Sequence, residues 1–173
     1  MKRLLLIILF ISFSCKESPK EVPEGTVQPE IASTFDLEIY NYDGLKPLIN
    51  KTDDKVHVVN FWATWCAPCI KELPHFEKVK AEYEAKDVEV LLVSLDFPRQ
   101  YETKLKPFIE ENQIQSEIVC FDDVDQNRWI PAIDSTWSGA LPATIIYKGN
   151  KRQFYEKSFT YEELEKEVQQ FLN

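Results

Sequence analysis

Two cysteines three residues apart, Cys66 and Cys69, are the residues of this chain best suited to chemistry. They follow an apolar strand pattern and open a segment with a helical pattern, so Cys66 is expected at a helix N-terminus. Unpaired backbone N–H groups and the helix dipole favour negative charge there, and they stabilise the thiolate, which is the attacking form of cysteine. Cys69 lies one helical turn further on, within reach of a disulfide. The pair therefore predicts thiol–disulfide exchange, with Cys66 as the exposed attacking thiol and Cys69 as the covered resolving thiol.

Three other interpretations of the pair compete with redox chemistry. It could be half of a zinc site, but no second Cys or His pair stands at ligand spacing. The other candidate ligands are His57, His75, Cys15 and Cys120. It could be a permanent structural disulfide, although so short a loop constrains the unfolded chain little, or two inert packing residues. Redox chemistry is the favoured interpretation and needs no metal and no cofactor, while Cys120, in an apolar strand pattern, is expected to be a buried hydrophobe.

The composition limits the class of protein. A chain of 173 residues with 44% hydrophobic residues suits one globular domain with a real core. Asp and Glu number 29 against 20 Lys and Arg, and the net charge is -9. Such an acidic chain lacks the electrostatic footprint of a protein that binds nucleic acid or an anionic membrane surface. No nucleic-acid partner is therefore expected.

The first residues have the pattern of an export signal. Lys2 and Arg3 precede an apolar run at residues 4–11, which is shorter than the about 20 residues that span a bilayer. A membrane-anchoring or buried helix is the alternative. The run ends on Ser14-Cys15, which resembles the lipobox of bacterial lipoproteins and implies a lipid on Cys15, with plain secretion as the alternative. We predict an export signal at 1–14, the lipidation site and a flexible Pro-rich, charged tether at 15–30, and a folded domain at 31–173.

Strand and helix patterns alternate along the folded part and predict an α/β fold. Apolar runs at 55–62 and 88–95 are typical of central strands that are covered on both faces. Further predicted elements are a half-buried strand at 35–39, a turn at 42–44, a short helix at 45–50, helices from 66 to about 83 and at 101–112, a strand at 117–121, a hairpin of 143–147 and 152–155, and a closing helix with a capping box of Thr160 and Glu163. This order requires parallel crossovers and helices on both faces of the sheet. Trp129 and Trp137 are either core residues or a partner surface.

Two segments, VVNFWATWCAPC at 58–69 and GALPAT at 139–144, resemble the thioredoxin superfamily. Within it, the chain is similar to the TlpA/ResA-like thiol–disulfide oxidoreductases of bacterial envelopes, over about residues 31–173. The resemblance implies a thioredoxin fold, in which helices flank a central mixed sheet, with an N-terminal extension and an insertion before the C-terminal ββα unit.

The resemblance also implies contacts for a substrate. Leu141-Pro142 matches the cis-proline that faces the Cys pair in the family, and its backbone could pair with a substrate segment as an added strand. Trp65 flanks the pair, as in the family, and would shield the disulfide or contact a partner. In peroxidase relatives two residues separate a Thr from the reactive Cys. Here only Trp65 separates Thr64 from Cys66, so no peroxidase site is expected.

A proton relay is the third implication. Asn60 stands where cytosolic thioredoxins carry a buried Asp, so the usual internal base is missing. TlpA/ResA-like proteins instead carry a Glu just after the Cys pair, and Glu72 matches it. Glu72 shares the helix face of Cys69, and a half-buried carboxyl has a raised pKa and can exchange a proton near neutral pH. The alternative for Glu72 is a solvated helix charge.

Taken with the residues, the resemblance implies a protein-disulfide reductase of the bacterial cell envelope. Its partners would be disulfide-bonded or thiol proteins, with a membrane thiol–disulfide transporter as electron donor and a lipid anchor at Cys15 or, failing that, secretion. The interior of the motif, Ala67-Pro68, has no charge that would over-stabilise a thiolate, so a reductant is expected. The alternatives are a non-catalytic adaptor of thioredoxin fold and a Cu(I)-binding chaperone that uses Cys66 and Cys69.

Overall fold

The computed structural model describes residues 35–172. The predicted export signal, the lipidation site at Cys15 and the tether lie outside the described residues, and the domain limits stay a prediction.

A six-stranded mixed sheet forms the centre of the fold. Its strands are β1 (Glu38–Tyr40), β2 (Val56–Trp62), β3 (Val88–Ser94), β4 (Glu117–Phe121), β5 (Ala143–Lys148) and β6 (Lys151–Tyr155). Their spatial order is β1-β4-β3-β2-β5-β6. The first four strands in that order are mutually parallel, whereas β5 is antiparallel to both β2 and β6. All seven residues of β2 are buried, as the apolar run predicts for a central strand.

Within residues 35–172, five α-helices connect and cover the strands. They are α1 (Tyr42–Leu48), α2 (Ala67–Tyr83), α3 (Lys106–Glu111), α4 (Gln126–Ile133) and α5 (Tyr161–Leu172). A 3₁₀ turn at Pro98–Gln100 and a π-helical turn at Tyr101–Leu105 precede α3. The β2–α2–β3 unit and the β5–β6–α5 unit are the two halves that the resemblance implies. The segment between them adds β4 next to β3, which confirms the expected insertion.

Two local predictions differ from the structure. The turn predicted at 42–44 is instead the first turn of α1, because the side chain of Asn41 caps it by accepting the Gly44 N–H at 3.0 Å. The sequence patterns also missed α4, where Asp125 caps the N-terminus and Pro131 lies inside the helix. By contrast, the capping box of α5 is present, since Thr160 N–H donates to Glu163 and Glu163 N–H donates to Thr160 Oγ1.

Each face of the sheet carries its own core. Helices α2, α3 and α5 cover one face, around Trp62, Phe76 and Val168. Helices α1 and α4 cover the other, around Leu45 and Phe61. Trp129 and Trp137 are buried in this second core, which answers the question that the sequence left open. Strand β2 lies inside the sheet and contributes to both cores. Its C-terminal end, which leads into the segment with Cys66 and Cys69, is therefore held in place by packing on both faces.

Candidate active site

The Cys pair lies at the junction of β2 and α2. Cys66 is the N-cap residue of α2, and Cys66 and Cys69 form a disulfide with a Cα–Cα distance of 5.3 Å. The backbone N–H of Cys69 points at Cys66 Sγ over 3.3 Å, and Pro68 occupies the first turn, where a helix needs no N–H donor. The same N–H and the N-terminal end of the helix dipole would stabilise negative charge on Cys66 in the reduced state.

The two sulfurs are less exposed than the sequence suggests. Cys69 is fully buried, as expected for the covered member of the pair, but only 5% of Cys66 is exposed. The expectation of an openly exposed Cys66 is therefore too strong for the oxidised state. Its neighbour in the chain, Trp65, is by contrast 53% exposed.

Glu72 is buried directly beneath the motif, one helical turn after Cys69. Only 1% of the residue is exposed, so the solvated helix charge considered above is excluded. Its Oε1 accepts Asn60 Nδ2 at 2.9 Å, and its Oε2 accepts the backbone N–H of Phe159 at 2.8 Å. Burial raises the pKa of Glu72 to about 7, because removal of water disfavours the carboxylate more than the two hydrogen bonds favour it. Glu72 can therefore hold or release a proton near neutral pH.

Asn60, in β2, links Glu72 to the neighbouring strand β5. Its Nδ2 also donates to Thr144 Oγ1 at 3.1 Å, whereas its Oδ1 is buried and has no hydrogen-bond partner. An amide differs from a carboxylate in having both a donor and an acceptor end. Rotation of the Asn60 amide would bring Oδ1 towards a protonated Glu72, so this residue suits both protonation states of the carboxyl.

The segment before β5 lies beside the Cys pair. The Leu141–Pro142 peptide bond is cis, as the resemblance implies. Ala143 pairs with Phe61 in β2. The cis-proline therefore lies next to the C-terminal end of β2, where the Cys motif begins. Leu141 is partly exposed, and within residues 35–172 its N–H and C=O have no hydrogen-bond partner.

Glu156 and Trp137 hold this segment in place. The Glu156 carboxylate accepts the N–H of Ser138 at 3.0 Å, the Ser138 hydroxyl, and the N–H of Ala140 at 3.2 Å. The Trp137 indole N–H donates to the carbonyl of Ala140 at 2.9 Å. Both backbone groups of Ala140 are thereby occupied, whereas those of Leu141, directly before Pro142, have no partner within residues 35–172.

Asp96 anchors the loop that precedes the Cys pair. This buried carboxylate accepts the N–H of Thr64 at 3.0 Å, the Thr64 hydroxyl at 2.5 Å and the Ser94 hydroxyl at 2.9 Å. The loop after β3 is thus tied to the loop after β2. Sequence reasoning missed Asp96, Glu156 and also Phe97, which stacks on Trp65. The only signal for Asp96 was a carboxylate directly after an apolar strand run.

A second cluster of possible metal ligands lies at the opposite end of β2. Its members are Asp53, the buried His57 and Glu89. His57 Nε2 lies 2.6 Å from Asp53, while its Nδ1 lies 3.5 Å from Glu89, so the ring bridges the two carboxylates and its lone pairs diverge. Glu89 also pairs with Lys51 and Lys55. This geometry fits a charge network better than a metal site, because metal ligands must converge.

Cys120 is the one free cysteine of the described residues, and it is buried in β4. Burial raises the pKa of its thiol to about 12, so it is protonated at neutral pH. This agrees with the expectation of a buried hydrophobe.

A mixed sheet with a Cys-x-x-Cys pair at the mouth of the helix after its central strand, opposed by a cis-proline, defines a protein of the thioredoxin fold. Comparison with known proteins narrows this class. The chain belongs to the AhpC/TSA family, whose model matches residues 30–152.

Two curated relatives carry the name thiol-disulfide oxidoreductase ResA. The protein of Oceanobacillus iheyensis is 30% identical over 138 residues, which cover 80% of this chain and 57% of that protein, so the chain spans less than two thirds of that relative's length. The protein of Geobacillus kaustophilus is 23% identical over 171 residues, covering 98% of this chain and 93% of that one. Among solved structures, a thiol:disulfide interchange protein of Chlorobium tepidum has a TM-score of 0.59 at 18% identity, with 76% of this chain and 90% of that chain covered. That likeness supports the fold. None of the helices in the described part of the chain has the length and apolar character that a membrane span needs.

Proposed function

We propose that this protein is a thiol–disulfide oxidoreductase that reduces disulfides of partner proteins through Cys66 and Cys69. The observation that carries the proposal is the Cys66–Cys69 disulfide at the N-terminus of α2 with the buried carboxyl of Glu72 beneath it. The names of the two ResA relatives support the same activity.

The exchange proceeds in two displacements. In the reduced protein the Cys66 thiolate attacks one sulfur of a partner disulfide, and the other partner sulfur leaves as a thiolate. The Cys69 thiolate then attacks Cys66 Sγ in the mixed disulfide and expels the second partner thiolate. Two electrons pass to the partner, whose thiolates take up two protons, and the protein is left with the Cys66–Cys69 disulfide found here.

Glu72 assists the second displacement. Cys69 is fully buried, and a buried thiol resists ionisation because the thiolate loses its hydration. A carboxylate with a pKa of about 7 on the same helix face can accept the Cys69 proton when the mixed disulfide has formed. Glu72 is in this role a proton acceptor and returns the proton when the pair is reduced again.

The partner segment pairs with Leu141. The free N–H and C=O of Leu141 stand beside the Cys pair and can hydrogen-bond an extended segment as an added strand. The exposed indole of Trp65, next to Cys66 in the chain, then offers the partner an apolar contact.

The same proposal includes the place and the direction of the reaction. A lipid anchor at Cys15, or secretion, would put the domain in the bacterial cell envelope, where a membrane thiol–disulfide transporter supplies electrons. Secreted proteins of similar fold from Mycobacterium tuberculosis and Corynebacterium glutamicum support an extracytoplasmic site. The uncharged motif interior supports a reduction potential near the about −270 mV of thioredoxin and far from the about −120 mV of DsbA.

Two cysteine variants test the activity. Cys66→Ser should abolish insulin reduction, because the attacking sulfur is gone, while circular dichroism keeps the spectrum of the folded protein. Cys69→Ser should instead accumulate a mixed disulfide through Cys66, and mass spectrometry of the trapped complex identifies the partner. Equilibration with glutathione measures the potential, and a value near −120 mV contradicts the reducing direction.

Unchanged insulin reduction in Cys66→Ser would reject the proposal. If the protein were instead an adaptor or a Cu(I) chaperone, even the wild type would not reduce insulin catalytically. Stoichiometric Cu(I) in the purified protein, lost in both cysteine variants, would support the chaperone.

A further inference from the structure

An exposed aromatic and cationic surface adjoins the Cys pair. Trp65 and Phe97 are 53% and 52% exposed, although large hydrophobic side chains are usually covered. Their rings stack at a centroid distance of 6.3 Å and an angle of 24°. The guanidinium of Arg99 lies 5.2 Å from the centre of the Phe97 ring. We call these three side chains the Trp65–Phe97–Arg99 surface.

This surface is held rigidly relative to the reacting sulfur. Trp65 lies between Thr64 and Cys66, and Phe97 directly follows Asp96. The two hydrogen bonds from Thr64 to Asp96 therefore join the two aromatic residues through their neighbours. A proline after Phe97 restricts its backbone to the extended form observed, with φ -71 and ψ 141. A side chain that docks on this surface is thus at a set position relative to Cys66.

The charge of this surface is opposite to that of the chain. The chain carries -9, yet residues 97–106 contain Arg99, Lys104 and Lys106 against the single acid Glu102. Lys106 is paired with Glu102 at 2.8 Å. Arg99 and Lys104 have no carboxylate within ion-pair distance among residues 35–172. Of these two cations, Arg99 lies beside the exposed apolar stack and is available to a partner.

We infer that the Trp65–Phe97–Arg99 surface selects partner proteins in which an apolar side chain and a carboxylate flank the cysteine that Cys66 attacks. The apolar side chain packs on the ring stack, and the carboxylate pairs with Arg99. This inference rests on the proposed function and adds a substrate preference to it. A basic partner segment would place cation against cation, which disfavours its approach.

The test compares two disulfide peptides that differ only in charge. Each carries a Leu beside its reactive Cys, followed by two Glu in one peptide and by two Lys in the other. The rate constant for reduction by the reduced protein is divided by the rate constant for reduction by dithiothreitol, because the flanking charges change the intrinsic reactivity of each peptide. Hydroxyethyl disulfide, which is neutral and small, reports the exchange chemistry without docking.

The wild type should reduce the acidic peptide about fivefold faster than the basic one after this correction, as expected for an exposed charge pair. Arg99→Glu should remove or invert the preference. Lys166→Glu, which makes the same change of net charge on the exposed face of α5, should keep it. The ratio of the corrected rate constants should also fall towards one in about 0.5 M salt, because salt screens the charge pair.

Equal corrected rates for the two peptides, or an unchanged preference in Arg99→Glu, overturn the inference. If hydroxyethyl disulfide is reduced in that case, the proposed function stands and only the partner preference fails. If hydroxyethyl disulfide is not reduced either, the proposed function fails and the inference fails with it.

Discussion

Glu72 shows how one buried side chain couples the stability of the protein to its chemistry. Its carboxyl receives hydrogen bonds from Asn60 and from the Phe159 N–H, but burial outweighs them and the pKa rises from 4.5 to about 7. The folded state therefore binds more protons than the unfolded state between these two values. Stability falls as the pH rises through this range, and the penalty is fully present above pH 7.

Glu72→Gln should remove this penalty. One pKa unit corresponds to about 1.4 kcal/mol, so the free energy of unfolding of the variant relative to the wild type should increase by about 2.5 kcal/mol between pH 5 and pH 8. The amide is nearly isosteric and can donate to the unpaired Oδ1 of Asn60. Urea denaturation at a series of pH values measures the difference.

Glu111→Gln, at the exposed end of α3, is the matched control and should follow the wild-type curve at every pH. A Glu72→Gln curve parallel to that of the wild type would show that Glu72 is charged at pH 5 in the folded protein.

The Glu72→Gln variant also separates a proton relay from a purely structural role. The rate at which Cys69 resolves a mixed disulfide should rise through about pH 7 in the wild type and only at higher pH in the variant.

At the scale of elements, hydrogen bonds between loops position the site. The loops after β2 and β3 are joined through Asp96, and the segment before β5 is fastened to Glu156 after β6. The loop that leads into the Cys pair is thus positioned by connections between neighbouring strands as well as by α2.

Thr64→Val tests the connection through Asp96. The substitution keeps the shape of the side chain and removes one of three donors to a buried carboxylate, so the protein should lose about 1.5–3 kcal/mol of stability. Thermal or urea denaturation of the oxidised protein measures the loss. The exposed Thr103→Val should change stability by less than about 0.5 kcal/mol, and equal effects of the two variants would contradict the role of Asp96.

The sequence predicted elements that depend on local patterns. The fully apolar run of β2, the helix after Cys66 and the capping box at Thr160 are read from neighbouring residues, and all three are present. It missed α4, since Pro131 interrupts the pattern and the helix has only eight residues. The predicted turn at 42–44 was wrong because Asn41 caps a helix there.

Contacts between residues far apart in the chain could not be predicted from the sequence patterns. Asp96 contacts Thr64 across 32 positions, and Glu72 receives the Phe159 N–H across 87. The burial of Glu72, which decides between a proton carrier and a solvated charge, depends on α5 and its preceding loop closing over α2. Helical spacing from Cys69 indicated the face of the helix, but the depth of burial required the tertiary structure.

At the scale of the whole molecule, β2 joins two cores into one cooperative unit. Phe76 of α2 lies in one core and Leu45 of α1 in the other, both fully buried. Strand β2 supplies side chains to both, so the loss of packing on either face should weaken the same folding transition.

Leu45→Ala and Phe76→Ala should each lower the free energy of unfolding, by about 2–5 and 3–5 kcal/mol respectively. In both variants, tryptophan fluorescence and far-ultraviolet circular dichroism should give coincident urea transitions. Exposed surface substitutions such as Thr103→Val provide the baseline. Separate midpoints for the two probes in either variant would show that the faces unfold independently.

Cys120 has a consequence for the fidelity of the whole reaction. It lies in β4, two strands from β2, with its thiol protonated and covered. A reactive third sulfur in the domain could capture the intermediate and divert it into a scrambled, dead-end isomer. An inert Cys120 leaves the described domain with a unique oxidised product. Native alkylation after reduction should consequently label Cys66 first and leave Cys120 unlabelled until denaturant uncovers it.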